Sequence, residues 1–234
     1  MDRKIILIGK SHSGKDTFAT FLETNFGLKR AISCTTRPKR DYEVEGRDYN
    51  FITKDQFFEM VNSDQFQEYD NFNSWYYAVT KKEWESSEIH IKTYRGLKKL
   101  LEIVDRKELL IIYLEPSITV RKQRIEERND THDQIERRWM NDDIDFENLE
   151  QWNMPWDLKI SMQDTDALHD LMEIILEKGK QKWLPPTPMI NFDGVTITFK
   201  DRYEDDQLKS VGKWMIDWTS HWLKTRTDDQ INKN

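Results

Sequence analysis

The stretch KIILIGKSHSGKDT, residues 4–17, decides the fold of this chain. After Lys4 comes a short apolar run rich in isoleucine, which is typical of a strand buried in a parallel sheet. The spacing Gly-x4-Gly-Lys follows at Gly9, Gly14 and Lys15, as in a phosphate-binding P-loop. In such a loop, backbone N–H groups at a helix start surround phosphate oxygens, and the lysine neutralises their charge. The alternative is a glycine-containing turn that binds nothing.

The residue after the loop lysine is unusual, because Asp16 stands where a P-loop normally has Ser or Thr. A carboxylate about 4 Å from a phosphate charge is repelled by about 4 kcal/mol at an effective dielectric of about 20, unless a cation intervenes. Carboxylate oxygens are also good Mg²⁺ ligands. We therefore predict that Asp16 binds Mg²⁺ directly or through water, with the hydroxyl of Thr17 as the alternative ligand.

The rest of the chain alternates between apolar runs and helical patterns. Residues 109–115, closed by Pro116, and residues 157–162 predict two further buried strands, and residues 31–52 predict short strands and loops. Predicted helices span residues 16–26, 54–66, 117–130 and 166–179. This order predicts an α/β fold, a P-loop NTPase-type parallel sheet with helices on both faces, a small strand-rich insert and a helical lid.

Composition excludes several classes of protein. The chain has 234 residues and a formal net charge of −7, which argues against a broad binding surface for a nucleic acid polymer. Its one cysteine, Cys34, excludes an internal disulfide and a cysteine zinc site. Since no apolar stretch approaches the length of a membrane span and the first residues do not resemble a signal peptide, we expect a cytoplasmic protein without membrane contact.

A second informative stretch is SCTTRPKRDYEVEGRDYNF, residues 33–51. Arg37 and Arg40 offer planar guanidinium groups that suit a phosphate monoester, and the Tyr49 hydroxyl adds a donor. Further along, the Glu68 carboxylate can accept parallel hydrogen bonds from the N1–H and N2–H groups of guanine, which adenine and cytosine do not present. The alternative is that the arginines are solvated surface charge and the tyrosines belong to the core.

Together these motifs resemble the guanylate kinase family: the P-loop, then SCTTRPKR, EVEGRDYNF, FQEY and WYYAV, within residues 4–178. The resemblance implies a kinase that uses ATP and Mg²⁺ to phosphorylate GMP or dGMP, with Glu68, helped by Ser33, reading the guanine. The predicted ATP-binding residues are Gly9, Ser11, Ser13, Gly14, Lys15, Asp16 and Thr17. The predicted GMP-binding residues are Ser33, Arg37, Arg40, Tyr49, Glu68 and Tyr77.

A run of arginines after the second predicted strand forms the candidate lid. Arg121, Arg124 and Arg128 share one helix face, although their spacing alone fits an ordinary charged helix equally well. The resemblance implies that Arg124, Arg128 and Arg138 close over the triphosphate, where one well-placed arginine contributes a factor of about 10³–10⁵ in rate. The predicted catalytic residues are therefore Lys15, Arg37, Arg124, Arg128 and Arg138.

The chain also departs from the family pattern. His12 stands where the family usually has glycine, and we place it as a spectator on the rim of the loop, with an added phosphate donor as the alternative. The stretch EIHIKTYRGLKKL, residues 88–100, has Lys92, Thr93 and Arg95 where the family has an acidic D-x-D, so base preference is less fixed than kinase activity. Three alternatives stay open: a phage-type deoxynucleoside monophosphate kinase with another base preference, a ribose 1,5-bisphosphate phosphokinase, and a non-catalytic interaction module.

The predicted organisation is a kinase domain over residues 1–182, with a nucleotide-binding insert at 32–80 and a lid at 121–140, followed by an extension at 183–234. The extension predicts a hairpin and an amphipathic helix. A stripe of three tryptophans on that helix packs against the core or the hairpin, or else forms a homodimer contact. The stripe consists of Trp214, Trp218 and Trp222.

Overall fold

A computed structural model describes residues 3–72, 74–128, 136, 139–140, 142, 146, 155–162, 189–192 and 195–199. The chain divides into two compact units. The first consists of Met1–Ile8 and Leu28–Leu110, and the second of Gly9–Gly27 and Ile111–Asn234. Among the described residues, no helix is both long and apolar enough to cross a membrane.

The first unit contains the predicted opening strand. Strand β1 (Lys4–Ile8) pairs in parallel with β6 (Ile89–Lys92), with Ile5 opposite Ile89 and Ile8 opposite Lys92. The four apolar residues of β1 are at most 1% exposed. Burial on both faces explains why this strand is an uninterrupted apolar run instead of an alternating one.

The same unit contains a separate sheet of four short strands, in the order β3–β2–β5–β4. They span Cys34–Thr35 (β2), Asn50–Phe51 (β3), Phe66–Phe72 (β4) and Trp75–Thr80 (β5). Helix α2 (Lys54–Asn62) places Phe57 on this sheet, where its ring stacks on Phe66 at 5.0 Å and on Tyr76 at 4.6 Å. Cys34 is buried in the same cluster, and burial raises the pKa of its thiol to about 11.

Helix α2 is shorter than the predicted helix over residues 54–66. It begins at a capping box between Thr53 and Gln56 and ends at Asn62. Asp64 then adopts a left-handed conformation with a φ of 53°, and Phe66 already belongs to β4. The prediction was wrong at this end because Phe66 packs beside Phe57 from the strand and not from a further helical turn.

Two helices of the first unit were not predicted. Helix α3 (Lys81–Ser86) follows β5 directly, and α4 (Tyr94–Ile103) follows β6. The side chain of Thr93 begins α4 by accepting a hydrogen bond from the Gly96 N–H. Helix α4 has an apolar face whose buried side chains include Tyr94, Leu97 and Leu100. This pattern was missed because lysines lie between these residues in the sequence.

In the second unit, α1 (Lys15–Phe26) follows the P-loop and ends at Phe26, as predicted. The next residue, Gly27, has a φ of 66°, which suits glycine. Strands β7 (Leu109–Pro116) and β8 (Leu158–Met162) pair in parallel. Helix α5 (Ile118–Arg128) begins after Ser117, whose hydroxyl accepts from the Val120 N–H at 3.3 Å. The unit thus supplies the parallel strands and flanking helices of the predicted α/β fold.

A hairpin of β9 (Met189–Phe192) and β10 (Val195–Phe199) lies in the C-terminal extension. Strand β10 pairs antiparallel with β8, so the extension adds two strands to the sheet of the second unit. The predicted helix over residues 166–179 and the tryptophan stripe lie outside the described residues. The boundaries at residues 182 and 183 stay predictions.

Candidate active site

The P-loop has the close packing and backbone conformations that its glycines predict. A Cβ added to Gly9 would lie 2.5 Å from the Leu114 carbonyl oxygen, so no larger residue fits without a shift. Gly14 has a φ of 89°, which glycine adopts freely. His12 also has a positive φ, of 61°. A positive φ favours glycine, which explains why the family that this chain resembles usually has glycine at this position. His12 is buried, so its predicted position on the rim is wrong.

Lys15 lies across the loop. Its ammonium group donates to the carbonyl oxygens of Gly9 and Lys10, each at 2.8 Å, and to the Ser13 hydroxyl at 3.2 Å. These bonds join the lysine to both limbs of the loop. The ammonium group is therefore held at the loop, where a phosphate oxygen can exchange with one of its carbonyl partners.

A carboxylate lies against the same loop. The backbone N–H of Ser11 donates to both carboxylate oxygens of Asp142, at 2.9 and 3.0 Å, and the Ser11 hydroxyl donates at 3.1 Å. Arg121 forms a buried ion pair with Asp142, donates from Nε to the Ser11 carbonyl at 3.0 Å, and stacks on Trp139 at 4.6 Å. Asp142 was not among the predicted site residues, because no motif relates it to Ser11, 131 positions away.

The three predicted lid arginines are described to different extents. Arg124, on α5, donates from Nη1 to the His12 carbonyl oxygen at 3.3 Å, so the structure brings it to the P-loop. Arg128 is the last residue of α5, and Arg138 lies outside the described residues. Arg121, which shares the α5 face but was not among the predicted site residues, also contacts the loop.

A cavity of about 290 Å³ lies beside the loop, at the carboxyl end of β7. Its lining includes Lys10, Tyr113, Glu115, Ile118, Arg121 and Trp139. Burial and the neighbouring Glu115 carboxylate raise the pKa of the Tyr113 hydroxyl, which is therefore neutral. A crevice at the carboxyl ends of parallel strands is where α/β folds bind their ligands.

The predicted metal ligands, Asp16 and Thr17, are exposed in the first turn of α1. Among the described residues, no cluster of three or more His, Cys, Asp or Glu side chains forms a metal site. Mg²⁺ at kinase sites is usually bound by one or two protein oxygens, with substrate phosphates and water completing its shell. The exposed carboxylate and hydroxyl fit that donor set.

In the first unit, Glu43 gathers the two predicted acceptor-site arginines. Its carboxylate accepts a bidentate pair of bonds from Arg37, at 2.9 and 2.6 Å, and a bond from the Arg40 backbone N–H at 2.8 Å. The Arg37 guanidinium lies 5.4 Å from the Tyr49 ring and 5.7 Å from the Phe51 ring. Glu43 lies inside a motif that was recognised, but its role as the partner of both arginines was not predicted.

Both members of the Arg37–Glu43 pair stay charged. Burial alone would raise the pKa of Glu43, but the hydrogen bonds from Arg37 and from the Arg40 N–H lower it below its usual range. Burial likewise acts to lower the pKa of Arg37, and the bond to Glu43 raises it above its usual value. The pair therefore holds a fixed cation beside the ring of Tyr49.

Two of the other predicted GMP-binding residues, Glu68 and Tyr77, lie on the small sheet, and Ser33 and Tyr49 directly precede its strands β2 and β3. The rings of Tyr49 and Tyr77 meet at 6.1 Å, and the Ser33 carbonyl accepts from the Asn50 N–H at 2.9 Å. Glu68, on β4, forms a buried ion pair with Lys92 at the end of β6. Lys92 belongs to the basic stretch that departs from the family pattern, but its pairing with Glu68 was not predicted.

Comparison with known proteins agrees with these features. The family model described as guanylate kinase matches residues 1–178. The chain belongs to the guanylate kinase family. The guanylate kinase of Wigglesworthia glossinidia brevipalpis is 31% identical over 182 residues, covering 73% of this chain and 86% of that protein. The guanylate kinase of Wolbachia pipientis wMel is 28% identical over 194 residues, covering 80% of this chain and 94% of that protein.

The fold of this guanylate kinase family member also matches a solved structure. The crystal structure of guanylate kinase from Anaplasma phagocytophilum has a TM-score of 0.53 at 19% identity, covering 76% of this chain and 86% of that one. Membership makes the protein a phosphotransferase of the ATP-dependent, P-loop class, so the predicted family, fold class and enzyme class are confirmed.

Proposed function

We propose that the protein transfers the γ-phosphoryl group of ATP to GMP or dGMP, giving ADP and (d)GDP. One observation carries this proposal beyond family membership: Arg37 and Arg40 gather around one buried carboxylate beside the Tyr49 ring, in the unit that carries the base-reading candidate Glu68. A cationic group fixed next to a carboxylate and aromatic hydroxyls suits a nucleoside monophosphate.

The second unit would hold the phosphate donor. Backbone N–H groups of the loop and the Lys15 ammonium would bind the β- and γ-phosphates, with Asp16 or Thr17 holding Mg²⁺. Bound Mg²⁺ would neutralise phosphate charge during transfer. Arg124, already at the loop, would add positive charge as the phosphate moves.

In this donor site, the Asp142 carboxylate lies where a phosphate group could take its place. Its carboxylate occupies the Ser11 N–H and pairs with Arg121, two groups that an incoming phosphate can use equally well. We infer that phosphate replaces the Asp142 carboxylate on both partners. The guanidinium of Arg121 then faces phosphate without a new desolvation step, because it is already buried.

The first unit would hold the acceptor. Three hydrogen bonds join the Arg37 guanidinium to Glu43 and to the Pro38 carbonyl, so within the described part of the chain two of its five N–H groups are left for a phosphate. The Arg40 side chain is 28% exposed and more accessible. Because an acceptor phosphate oxygen is already nucleophilic, these residues need only position it and stabilise charge, without a strong general base.

A coupled assay of ADP release tests the proposal. The acceptors are GMP, dGMP, AMP, dTMP and ribose 1,5-bisphosphate, each with and without Mg²⁺. We expect turnover of a guanine nucleotide, and Lys15→Ala lowers its rate by about 10³-fold or more. Lys29→Ala, which changes an exposed lysine paired with Glu83, serves as the control. Failure to phosphorylate every acceptor, together with tight binding of a protein, would support the interaction module instead.

A homodimer through the C-terminal extension is a separate proposal. Because β10 pairs with β8, deleting the extension would expose the edge of β8. That edge could pair with another chain and change the measured mass for a reason unrelated to the tryptophans. Replacing Trp214, Trp218 and Trp222 with Gln in the full chain avoids this problem. A lower mass in solution, with kinase activity retained, supports the dimer contact.

A further inference from the structure

Glu68 and Lys92 form a buried ion pair in the first unit. Their side chains are 8% and 6% exposed, respectively. Lys92 lies at the end of β6, just before α4, and a Cβ on Gly96 would lie 3.8 Å from the Lys92 Cδ. The lysine stem thus passes close to the first turn of α4, and its ammonium group reaches the carboxylate on β4.

The carboxylate of this pair accepts fewer hydrogen bonds than Glu43 and Asp142, the carboxylates of two other buried ion pairs among the described residues. Glu43 and Asp142 each accept further bonds from backbone N–H groups. Lys92, in contrast, hydrogen-bonds only to Glu68 Oε1 among the described residues, and Glu68 accepts from no other group there. The pair therefore presents ammonium N–H donors next to a carboxylate oxygen, and buried charges that serve stability alone usually have these positions filled.

We propose that Lys92 is a second base-reading residue, whose ammonium donates to the exocyclic oxygen of an oxo base while Glu68 accepts from the adjacent ring N–H. This rests on the proposed function and deepens it. Guanine has O6 beside N1–H, which matches a donor beside an acceptor. Adenine has the opposite polarity, with an amino group beside an unprotonated N1, so its amino group would face the ammonium and its N1 the carboxylate.

Base analogues tested on the unchanged protein distinguish base recognition by Lys92 from a purely structural role of this residue. In 6-thio-GMP the N1–H and N2–H groups remain, but sulfur is a poor acceptor at position 6. We expect its kcat/KM to be about 10- to 100-fold lower than that of GMP, the range of one hydrogen bond to a charged group. IMP keeps O6 and N1–H but lacks the N2–H from which Glu68 can also accept, so its kcat/KM should likewise fall by about 10- to 100-fold, whereas AMP should be the poorest acceptor.

Lys92→Met then tests the residue. It should lower kcat/KM for GMP by about 10- to 100-fold and leave 6-thio-GMP nearly unchanged, so that the preference between them disappears. Lys99→Met is the matched control, since Lys99 also pairs with a carboxylate of β4, at 2.7 Å from Asp70, but is 44% exposed. It should leave the preference intact. Lys92→Gln, which keeps an N–H donor, should restore part of the preference.

Thermal unfolding of each variant identifies loss of folding, and the analogue series on the unchanged protein stands if Lys92→Met does not fold. Equal losses for GMP and 6-thio-GMP in a folded Lys92→Met protein would show a structural role and overturn the proposal. So would equal rates for the two nucleotides on the unchanged protein. If the protein phosphorylates dTMP but not GMP, the proposed preference for guanine is overturned. Recognition of a carbonyl oxygen beside a ring N–H would still be supported, because thymine also has this pair of groups.

Discussion

Glu43 in the first unit and Asp142 in the second are both buried carboxylates that pair with a buried arginine. Glu43 binds arginines three and six residues away, within its own loop. Asp142 binds the Ser11 N–H, 131 residues away, in the P-loop itself. Glu43 therefore supports residues that are proposed to bind phosphate, whereas Asp142 occupies a group that phosphate is proposed to use. Similar ion pairs thus predict opposite effects on ligand binding.

The largest effect is expected from Glu43→Gln. Removing one partner of a buried ion pair costs about 3–5 kcal/mol of stability, because Arg37 keeps its charge without compensation. The arginine also loses its fixed position, and a shift of about 1 Å in such a group costs about 10²-fold in rate. Urea unfolding and kcat/KM for GMP measure the two losses. Glu59→Gln, an exposed change on α2, is the control.

The ion pair between Glu43 and Arg37 also predicts that the stability of the fold depends on pH. Because the pKa of Glu43 is lower in the folded chain than in the unfolded one, its contribution to stability is present above about pH 4.3 and is lost as the pH falls through the folded pKa. The stability difference between the unchanged protein and Glu43→Gln should therefore shrink below about pH 4. A difference that stays constant down to pH 3 would contradict the role of this ion pair.

Asp142→Asn should act in the opposite direction on ligand binding. The amide keeps the size of the side chain but binds the Ser11 N–H and Arg121 less strongly, so phosphate displaces it more easily. We expect about tenfold tighter ATP binding, equivalent to about 1.4 kcal/mol, even though the folded state loses stability. Isothermal titration of ATP and urea unfolding measure the two quantities. ATP binding that weakens together with stability would make Asp142 a support like Glu43.

The contrast between these carboxylates also shows what the sequence can predict. The P-loop, α1 and the buried strands follow from local spacing, because each pattern depends on neighbours a few residues away. Glu43 lies within six residues of Arg37, inside a motif that was recognised, so its role was within reach. The contacts of Asp142 with Ser11 and of Lys92 with Glu68 depend on how distant segments fold together. No spacing rule encodes them.

The smallest effects on stability are expected from removing one helix cap in each unit. The hydroxyl of Thr53 caps α2 in a capping box, and that of Ser117 caps α5 through one bond at 3.3 Å. Replacing either with Ala should cost about 0.5–2 kcal/mol in urea unfolding, with Thr53→Ala the larger because it breaks a reciprocal pair. Only Ser117→Ala should also weaken ATP binding, by a few-fold, because α5 carries Arg121 and Arg124 to the P-loop. Equal weakening by both changes would mean that ATP affinity follows global stability and not the position of α5.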